Sequence, residues 1–595
     1  MADYAPPLEE IRFVLEHVAG LAELSTLNGF EHADPDATME VLGEFGRFVV
    51  DKVAPTNRVG DEQGSRVAGT ADDPTVVTAD GFKEAYAQYV ESGWGTVAAD
   101  PDFGGGGFPW VVGVAMQEVL NSGNLAFALA PLLTQGALDL LHAHGSDEQK
   151  HTYLPNMVSG RWTGTMNLTE PDAGSDVGAL RTRAVPAADG TYRISGTKIY
   201  ITYGEHDLAE NIIHLVLART PDSPPGTRGI SCFLVPKHLT LADGSLGARN
   251  GVKVVSVEHK LGIRASPTCV LEFDEAVGTL IGDENTGMRS MFTMMNNARL
   301  SVGVEGLGLC EAAYQRARQH ARDRRQGRAP GAAGTGPSAI VDHADVRRML
   351  MTMRSSTEAL RALHYFDARQ IDLGRHHPDQ AERTAAIELA GLLTPMSKGW
   401  GTDLANEVTS LAIQVFGGMG FIEETGVAQL YRDARITAIY EGTNGIQAMD
   451  LVGRKLPMRG GGVVADLVAR MRGTAGELQG DDHLASIGVA LADGLEVLQQ
   501  ATDWVVANGA ADPVQALAAA TPYLRLFSQV VGGWLLGVEA LAATRTAASL
   551  PAGFAEAKVA TARFFAHHIL PTGHGLIPTI TAGKDDLFAL SADQL

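Results

Sequence analysis

The spacing of apolar residues changes its period twice along this 595-residue chain, and that double change limits the folds open to it. From Leu8 to about Gly160, stretches such as MEVLGEFGRFVVDKVA and ALDLLHAHGSDEQKHTYLPNMV repeat apolar residues every three or four positions, as helices burying one face do. Near Thr163 the runs become short and rich in β-branched residues, among them TYRISGTKIYIT, NIIHLVLAR, ISCFLVP, VKVVSVEH and TCVLEFDEA, and Gly, Pro and Asp separate them. After GDENTGM the helical period returns in MFTMMNNARLSVGVEGLGLCEAAYQRARQHARD and continues, with breaks, to about Leu456. The stretch GRAPGAAGTGPSA, from Gly327 to Ala339, cannot form a regular helix and reads as a long loop or flap; PMRGGGVV reads as a hinge before Ala-rich helical sequence. The expected architecture is α+β in four parts: a helical domain over 1–162, a β domain over 163–283, a helical bundle over 284–457 and a helical extension over 458–595.

Composition narrows the partners. Asp and Glu outnumber Lys and Arg by 70 to 47, and a net charge of -23 repels a phosphate backbone, so nucleic acid is not an expected partner. Local basic patches can still hold a small anion, since a site feels nearby charges most. Cys232, Cys269 and Cys310 are odd in number and widely spaced, which suits small buried hydrophobes better than a disulfide framework or a zinc knuckle. The start, MADYAPPLEEIRFVLEHV, has acids early and no basic segment before an apolar core, so no secretory signal is read there and a cytoplasmic location is expected. Apolar runs such as VVGGWLLGVEALAA look too short and too interrupted for the ~20 residues of a membrane span.

Several motifs could carry chemistry. FGGGGFP (Phe103 to Pro109) and FGGMGF (Phe416 to Phe421) match no phosphate-loop pattern, and each by itself reads as a turn. The pairs His142/His144, His376/His377 and His567/His568 lack the spacing and third ligand of a metal site. Three stretches mean more together: MNLTEPDAGSDVGAL (Met166 to Leu180), GTKIYITYG (Gly196 to Gly204) and FGGMGFIEETGVAQLYRDARITAIYEGTNGIQ (Phe416 to Gln447). In this order and at these separations they resemble the signatures of acyl-CoA dehydrogenases. HKLGIRASPT (His259 to Thr268) and ARDRRQGR (Ala321 to Arg328) fall where that family has similar segments, so the resemblance reaches from the N-terminal helices to about Lys455.

The resemblance implies a helical N-domain, a central β-barrel-like domain and a C-terminal four-helix bundle, with FAD held where β domain and bundle meet. It implies removal of two hydrogens from Cα and Cβ of an acyl-CoA thioester, leaving a trans-2-enoyl-CoA. The Glu of the YEGT stretch is then the base, and here it is Glu441. An acid at an interrupted helix suits proton abstraction, because its carboxylate can project into an apolar slot and desolvation there strengthens it as a base. The enolate that forms needs donors at the thioester oxygen, for which the resemblance supplies a flavin ribityl hydroxyl and the backbone N–H of Glu441.

Carried over in the same way, Met166, Leu168, Thr169, Tyr200 and Thr202 are expected at the flavin, and Arg324 at the FAD pyrophosphate of a neighbouring subunit. Gln414, Gly417 and Gly418 are expected at the adenine end of that FAD, while Thr443 and Gly445 line the cofactor after the base. Ser175, Arg299 and Gly442 are expected at the substrate, Ser175 near the CoA phosphates. Tyr200 stands where many members have Trp, Tyr203 where they often have Asn, and RRQGR lacks the aromatic residue that commonly precedes the glycine. The loop at Gly327 and the extension beyond Met458 are similar to the longer bacterial members, including those acting on methylthiopropionyl-CoA and on fatty acyl-CoAs. The resemblance to that subgroup implies that the extension covers a surface which shorter members use to form tetramers, so a homodimer is expected, with an electron-transferring flavoprotein as electron acceptor. The rivals are an acyl-CoA oxidase, in which oxygen reoxidises the flavin, and a scaffold that has lost its chemistry.

Overall fold

The computed structural model describes residues 4–70, 73–241, 244–331 and 335–595. Two compact units are each assembled from separated stretches of chain: Glu44–Phe108 with Val119–Ser301, and Met1–Gly43 with Pro109–Glu118 and Val302–Leu595. In chain order the main helices are α1 (Leu8–His17), α2 (Leu125–His144), α3 (Asp147–Val158), α4 (Gly287–Asp323), α5 (Ala344–His376), α6 (Gln380–Phe416), α7 (Val427–Thr437), α8 (Asn444–Asp450), α9 (Gly462–Gln479), α10 (Ala485–Ala511), α11 (Pro513–Arg545) and α12 (Phe554–His568). The strands of the principal sheet are β1 (Trp162–Asn167), β2 (Arg183–Pro186), β3 (Tyr192–Thr202), β4 (Asn211–Ala218), β5 (Ser231–Pro236), β6 (Val252–Val257) and β7 (Thr268–Ile281).

The unit containing the sheet orders its seven strands β1-β4-β5-β7-β3-β2, with β6 paired to β7. Only the β1/β4 pair among these is parallel. Strands β4 and β5 are buried at every position because both of their faces are covered. Ile213, Leu215, Leu217, Cys232 and Leu234 join one apolar cluster with Leu141, Leu154 and Trp162. The alternate residues Val216, Ala218, Phe233 and Val235 join another with Ile201, Leu271 and Phe273. That explains why ISCFLVP reads as an unbroken apolar run. The Asn124 side chain accepts from the Phe127 N–H (3.1 Å) to open α2, and a capping box between Ser146 and Gln149 opens α3. One departure from the all-helical expectation for the N-terminal third is an antiparallel pair, Arg66–Gly69 with Pro74–Val77. Strands of four residues are too short for their period to register against the helical pattern around them. The three cysteines are buried free thiols, as expected.

The other unit is helical. Helices α5 and α6 lie against each other, α11 packs on α5, α6 and α8, and α9, α10 and α12 contact α11 in turn. The approach of α6 to α11 depends on two glycines: a Cβ at Gly532 would lie 2.6 Å from the Trp400 ring, and one at Gly399 2.7 Å from Leu524. The run VVGGWLLGVEALAA belongs to α11, which at 33 residues is long and apolar enough to cross a membrane, contrary to the sequence reading; 89% of its most apolar stretch is buried, so core packing accounts for that composition. The described part of the Gly327–Ala339 stretch is a loop whose ends are tied, Ser338 N–H to the Gly327 carbonyl (2.8 Å) and Gln326 N–H to the Ser338 carbonyl (3.1 Å); residues 332–334 lie outside the described residues.

Charges are buried among these helices in pairs and clusters. Lys558 on α12 contacts Glu10, Glu358 (3.2 Å) and Glu539 (2.7 Å), and Arg354 bridges Glu358 (2.6 Å) and Glu10 (3.4 Å). Arg361 holds Glu118 (2.6 Å) and Glu311 (2.7 Å). Replacing Lys558 with Met leaves three acids around an apolar side chain and is expected to cost about 3–5 kcal/mol in denaturant unfolding, because a buried charge loses its partner. Asp367, fully buried and accepting from Ser397 Oγ (2.7 Å), has its carboxyl pushed up to about 7 by burial. The folded chain therefore keeps a proton there between about pH 4 and 7 that the unfolded chain releases, so this group loses stability as pH rises through that window. The Asp367→Asn variant should melt higher than the parent at pH 8 and match it near pH 4, as thermal scans at both pH values will show.

Candidate active site

Helix α7 ends at Thr437 and α8 begins at Asn444, and between them the chain turns through Tyr440, Glu441, Gly442 and Thr443. Glu441 has φ +55° and Gly442 φ +82°, two successive left-handed residues of which only the second is a glycine. Such a conformation costs a non-glycine residue roughly 1–2 kcal/mol and persists where surrounding bonds enforce it. The bonds are present. Tyr440 N–H donates to the Ile436 carbonyl (3.1 Å) and Asn444 N–H to that of Ala438 (3.1 Å). Thr443 caps α8, its Oγ1 accepting from the Ile446 N–H (3.2 Å). The Asn444 amide donates to the Gly399 carbonyl (3.0 Å) and the Asp403 carboxylate (2.6 Å) and accepts from Lys398 Nζ (2.8 Å). The buried Gln447 amide reaches the carbonyls of Glu441 (3.4 Å) and Gly442 (3.3 Å). On the far side, Tyr440 Oη donates to Glu305 Oε2. The half-buried Glu441 thus stands on a turn fixed from α4, α6 and α8.

In the sheet unit, the residues expected at the flavin gather where the chain leaves β1 and runs beside β3. Met166 lies on β1; Leu168 and Thr169 follow it, all three half-buried. Their backbone is fastened to β3, with Ile199 N–H donating to the Thr169 carbonyl (2.9 Å) and Lys198 Nζ to that of Leu168 (3.0 Å). Lys198 also pairs with Glu170 (2.7 Å), both buried. Burial brings the Lys198 ammonium down to about 8, and although burial opposes it, the Lys198 charge with hydrogen bonds from Thr182 and Arg181 holds Glu170 below the usual carboxylate range. Between Lys198 and Ile201 the register against β7 slips by one residue, and Tyr200 takes φ +58° and is left 61% exposed. A bulge of this kind re-aims a side chain out of the sheet. Thr202 ends the strand opposite Thr268. Tyr203 is a joint rather than part of that exposed surface: it is buried, and its hydroxyl donates to the Ala126 carbonyl of α2 (2.6 Å). Ser175 is exposed in the turn after Glu170, and Arg299 is buried on α4, where it donates to Asn296 Oδ1 (3.5 Å).

A third group lies at one end of the helical unit. His320 of α4 stacks on Phe416 of α6 with ring centroids 4.1 Å apart, tying the end of one helix to the end of the other. Just beyond α4, Arg324 has its backbone held by His320 and Ile340 while its side chain is exposed. At the end of α6, Gln414, Gly417 and Gly418 are exposed, and a Cβ at either glycine would meet nothing within 4 Å. Gly445 is likewise exposed at the start of α8. The sequence reading missed Glu305, Lys398, Glu170 and Lys198. The signal available for two of them was a lone charge in an apolar helical run, LSVGVEGLGL for Glu305 and LLTPMSKGWG for Lys398.

Four family descriptions match the chain in succession: acyl-CoA dehydrogenase N-terminal domain over 40–161, middle domain over 165–276, C-terminal domain over 285–456, and acetyl-CoA dehydrogenase C-terminal like over 467–591. The 3-methylmercaptopropionyl-CoA dehydrogenase of Ruegeria pomeroyi is 46% identical over 590 residues, covering 99% of this chain and all of that one. A butyryl-CoA dehydrogenase of Syntrophomonas wolfei is 36% identical, covering 98% of this chain and 97% of its own length. Among solved structures, the acyl-CoA dehydrogenase of Bacillus anthracis complexed with FAD shares the fold with a TM-score of 0.73 at 21% identity, over 96% of this chain and 91% of that one. Matched from its helical N-domain through its extension, the chain belongs to the acyl-CoA dehydrogenase family of oxidoreductases.

Proposed function

We propose that this protein is an FAD-dependent dehydrogenase in which Glu441 takes the α-proton of an acyl-CoA thioester to yield the trans-2-enoyl-CoA. The observation that carries the reading is the turn itself: a half-buried carboxylate in a left-handed conformation, held by side chains from three helices, stands at the Glu of the YEGT stretch. Strain kept in place by so many bonds marks a position where geometry is selected over stability. In this role the Glu441 carboxylate accepts the proton, and its backbone N–H donates to the thioester oxygen as enolate charge grows there.

The residues present fit FAD. Tyr200 offers an exposed ring, and Thr169 and Thr202 offer hydroxyls on adjoining backbone; for the FAD of a neighbouring subunit, Arg324 offers an exposed guanidinium for the pyrophosphate, and Gly417 and Gly418 leave backbone open to its adenine. When bound, FAD supplies the acceptor for the β-hydride. Ser175, Arg299 and Gly442 are assigned to the acyl-CoA, with short acyl chains or their thioether analogues favoured by the two full-length relatives described above. A homodimer, an electron-transferring flavoprotein as acceptor and a cytoplasmic location complete the reading.

Anaerobic titration of the purified flavoprotein with acyl-CoAs of four, eight and sixteen carbons and with 3-methylmercaptopropionyl-CoA is expected to bleach the oxidised flavin band, most readily with the shortest chains and the thioether. Recovery in air should be slow; rapid recovery with peroxide would make the protein an oxidase instead. Glu441→Gln should retain FAD and lower the reduction rate at least ~10²-fold, as loss of a general base does; a variant reduced as fast as the parent overturns the assignment. Asn444→Leu, which removes the acceptor that Lys398 Nζ uses and the anchor of the turn, is expected to cost about 1–3 kcal/mol of stability and to slow reduction with FAD still bound.

A further inference from the structure

Glu305 is an acid in an unpromising place. It lies on α4 in the run Val302 to Leu307, is 0% exposed, and has neighbours Val302, Val304 and Leu307 that are equally buried. Its Oε2 accepts from Tyr440 Oη, and its Oε1 has no hydrogen-bond partner among the described residues. A buried carboxyl with one oxygen unsatisfied destabilises the fold, and an apolar residue or an amide would fill the same space at lower cost. What distinguishes the position is its partner: Tyr440 is the residue before Glu441, in the turn where Glu441 takes φ +55°.

We propose that Glu305 is a positioning residue for Glu441, fixing the turn through the Tyr440 phenol. The inference rests on the reading of Glu441 as the base. Of two carboxyls that feel each other in a place of low dielectric, the more deeply buried one keeps its proton to higher pH. Burial, with the Glu441 charge added, pushes the Glu305 carboxyl up to about 8, while Tyr440 from the turn and Lys398 from α6 act the other way. At neutral pH Glu305 therefore keeps its proton. Above about pH 8 Glu305 ionises, and a negative charge added near a general base strengthens it.

The test is stopped-flow flavin reduction of the FAD-loaded enzyme by an acyl-CoA that bleaches the parent, for Glu305→Ala, Tyr440→Phe, their double variant and Glu305→Gln. Glu305→Ala and Tyr440→Phe should each slow reduction about 10-fold with FAD content unchanged, and the double variant should be no slower than the worse single, because both remove one shared contact. The parent rate should rise roughly threefold across pH 8, and Glu305→Gln, which keeps an acceptor for Tyr440, should recover at least about a third of the parent rate at pH 7 but lose that rise. Additive losses in the double variant, a Glu305→Ala rate equal to the parent's, or a pH step that survives in Glu305→Gln would each overturn the proposal. If Glu305→Ala does not fold, the pH profile of Glu305→Gln decides by itself. A Glu441→Gln enzyme reduced at the parent rate would instead sink the reading of the base, and the two failures are distinct.

Discussion

The amide of Asn444 is the constraint on which the site depends. By donating to Gly399 and Asp403 and accepting from Lys398, it fixes the first residue of α8 against α6. Thr437 ends the preceding helix, so the chain has six residues in which to reverse, and the turn closes with Glu441 and Gly442 both left-handed. The strain of roughly 1–2 kcal/mol at Glu441 is of the same order as one or two net hydrogen bonds, and the Asn444 and Gln447 amides supply more than that number. The extension beyond Met458 enters the same chain of support. Leu524 of α11 packs where Gly399 has no side chain, and the Cβ of Gln447 is 3.5 Å from the same point, so the wall behind the turn is built from both.

Buried charges organise the rest of the helical unit. An ion cluster such as Lys558 with Glu10, Glu358 and Glu539 adds less stability than its contacts suggest, because desolvation offsets much of the attraction. Its geometric demand is strict, however. The four charged groups come from α1, α5, α11 and α12, and a slip of any of these helices by one turn would strand a charge.

Much of this was legible in the residues. The change from a period of three or four to short β-branched runs marked the sheet, and the unbroken runs of β4 and β5 are what strands covered on both faces must look like. A carboxylate between two helical stretches, next to Gly-Thr-Asn-Gly, gains its expected role at Glu441 from the resemblance of the YEGT stretch and not from its spacing. The sequence was silent where the partner is distant: Glu305 meets Tyr440 across 135 positions, and Lys198 meets Glu170 across 28. Periodicity describes which face of an element is apolar and says nothing of which charge on one element meets which on another. The antiparallel pair Arg66–Gly69 and Pro74–Val77 escaped for a different reason, since two four-residue strands carry too few alternations to stand out.

The fit of Trp400 against Gly532 bears on how a chain like this can change over time. Any side chain at 532 would run into the indole, and any smaller residue at 400 would open a void between α6 and α11. Substitutions at the two positions are therefore not independent: one becomes tolerable only when the other has already moved. A bundle and an extension interlocked in this way cannot be exchanged as modules between relatives, because each half carries the imprint of the other in residues far from the chemistry.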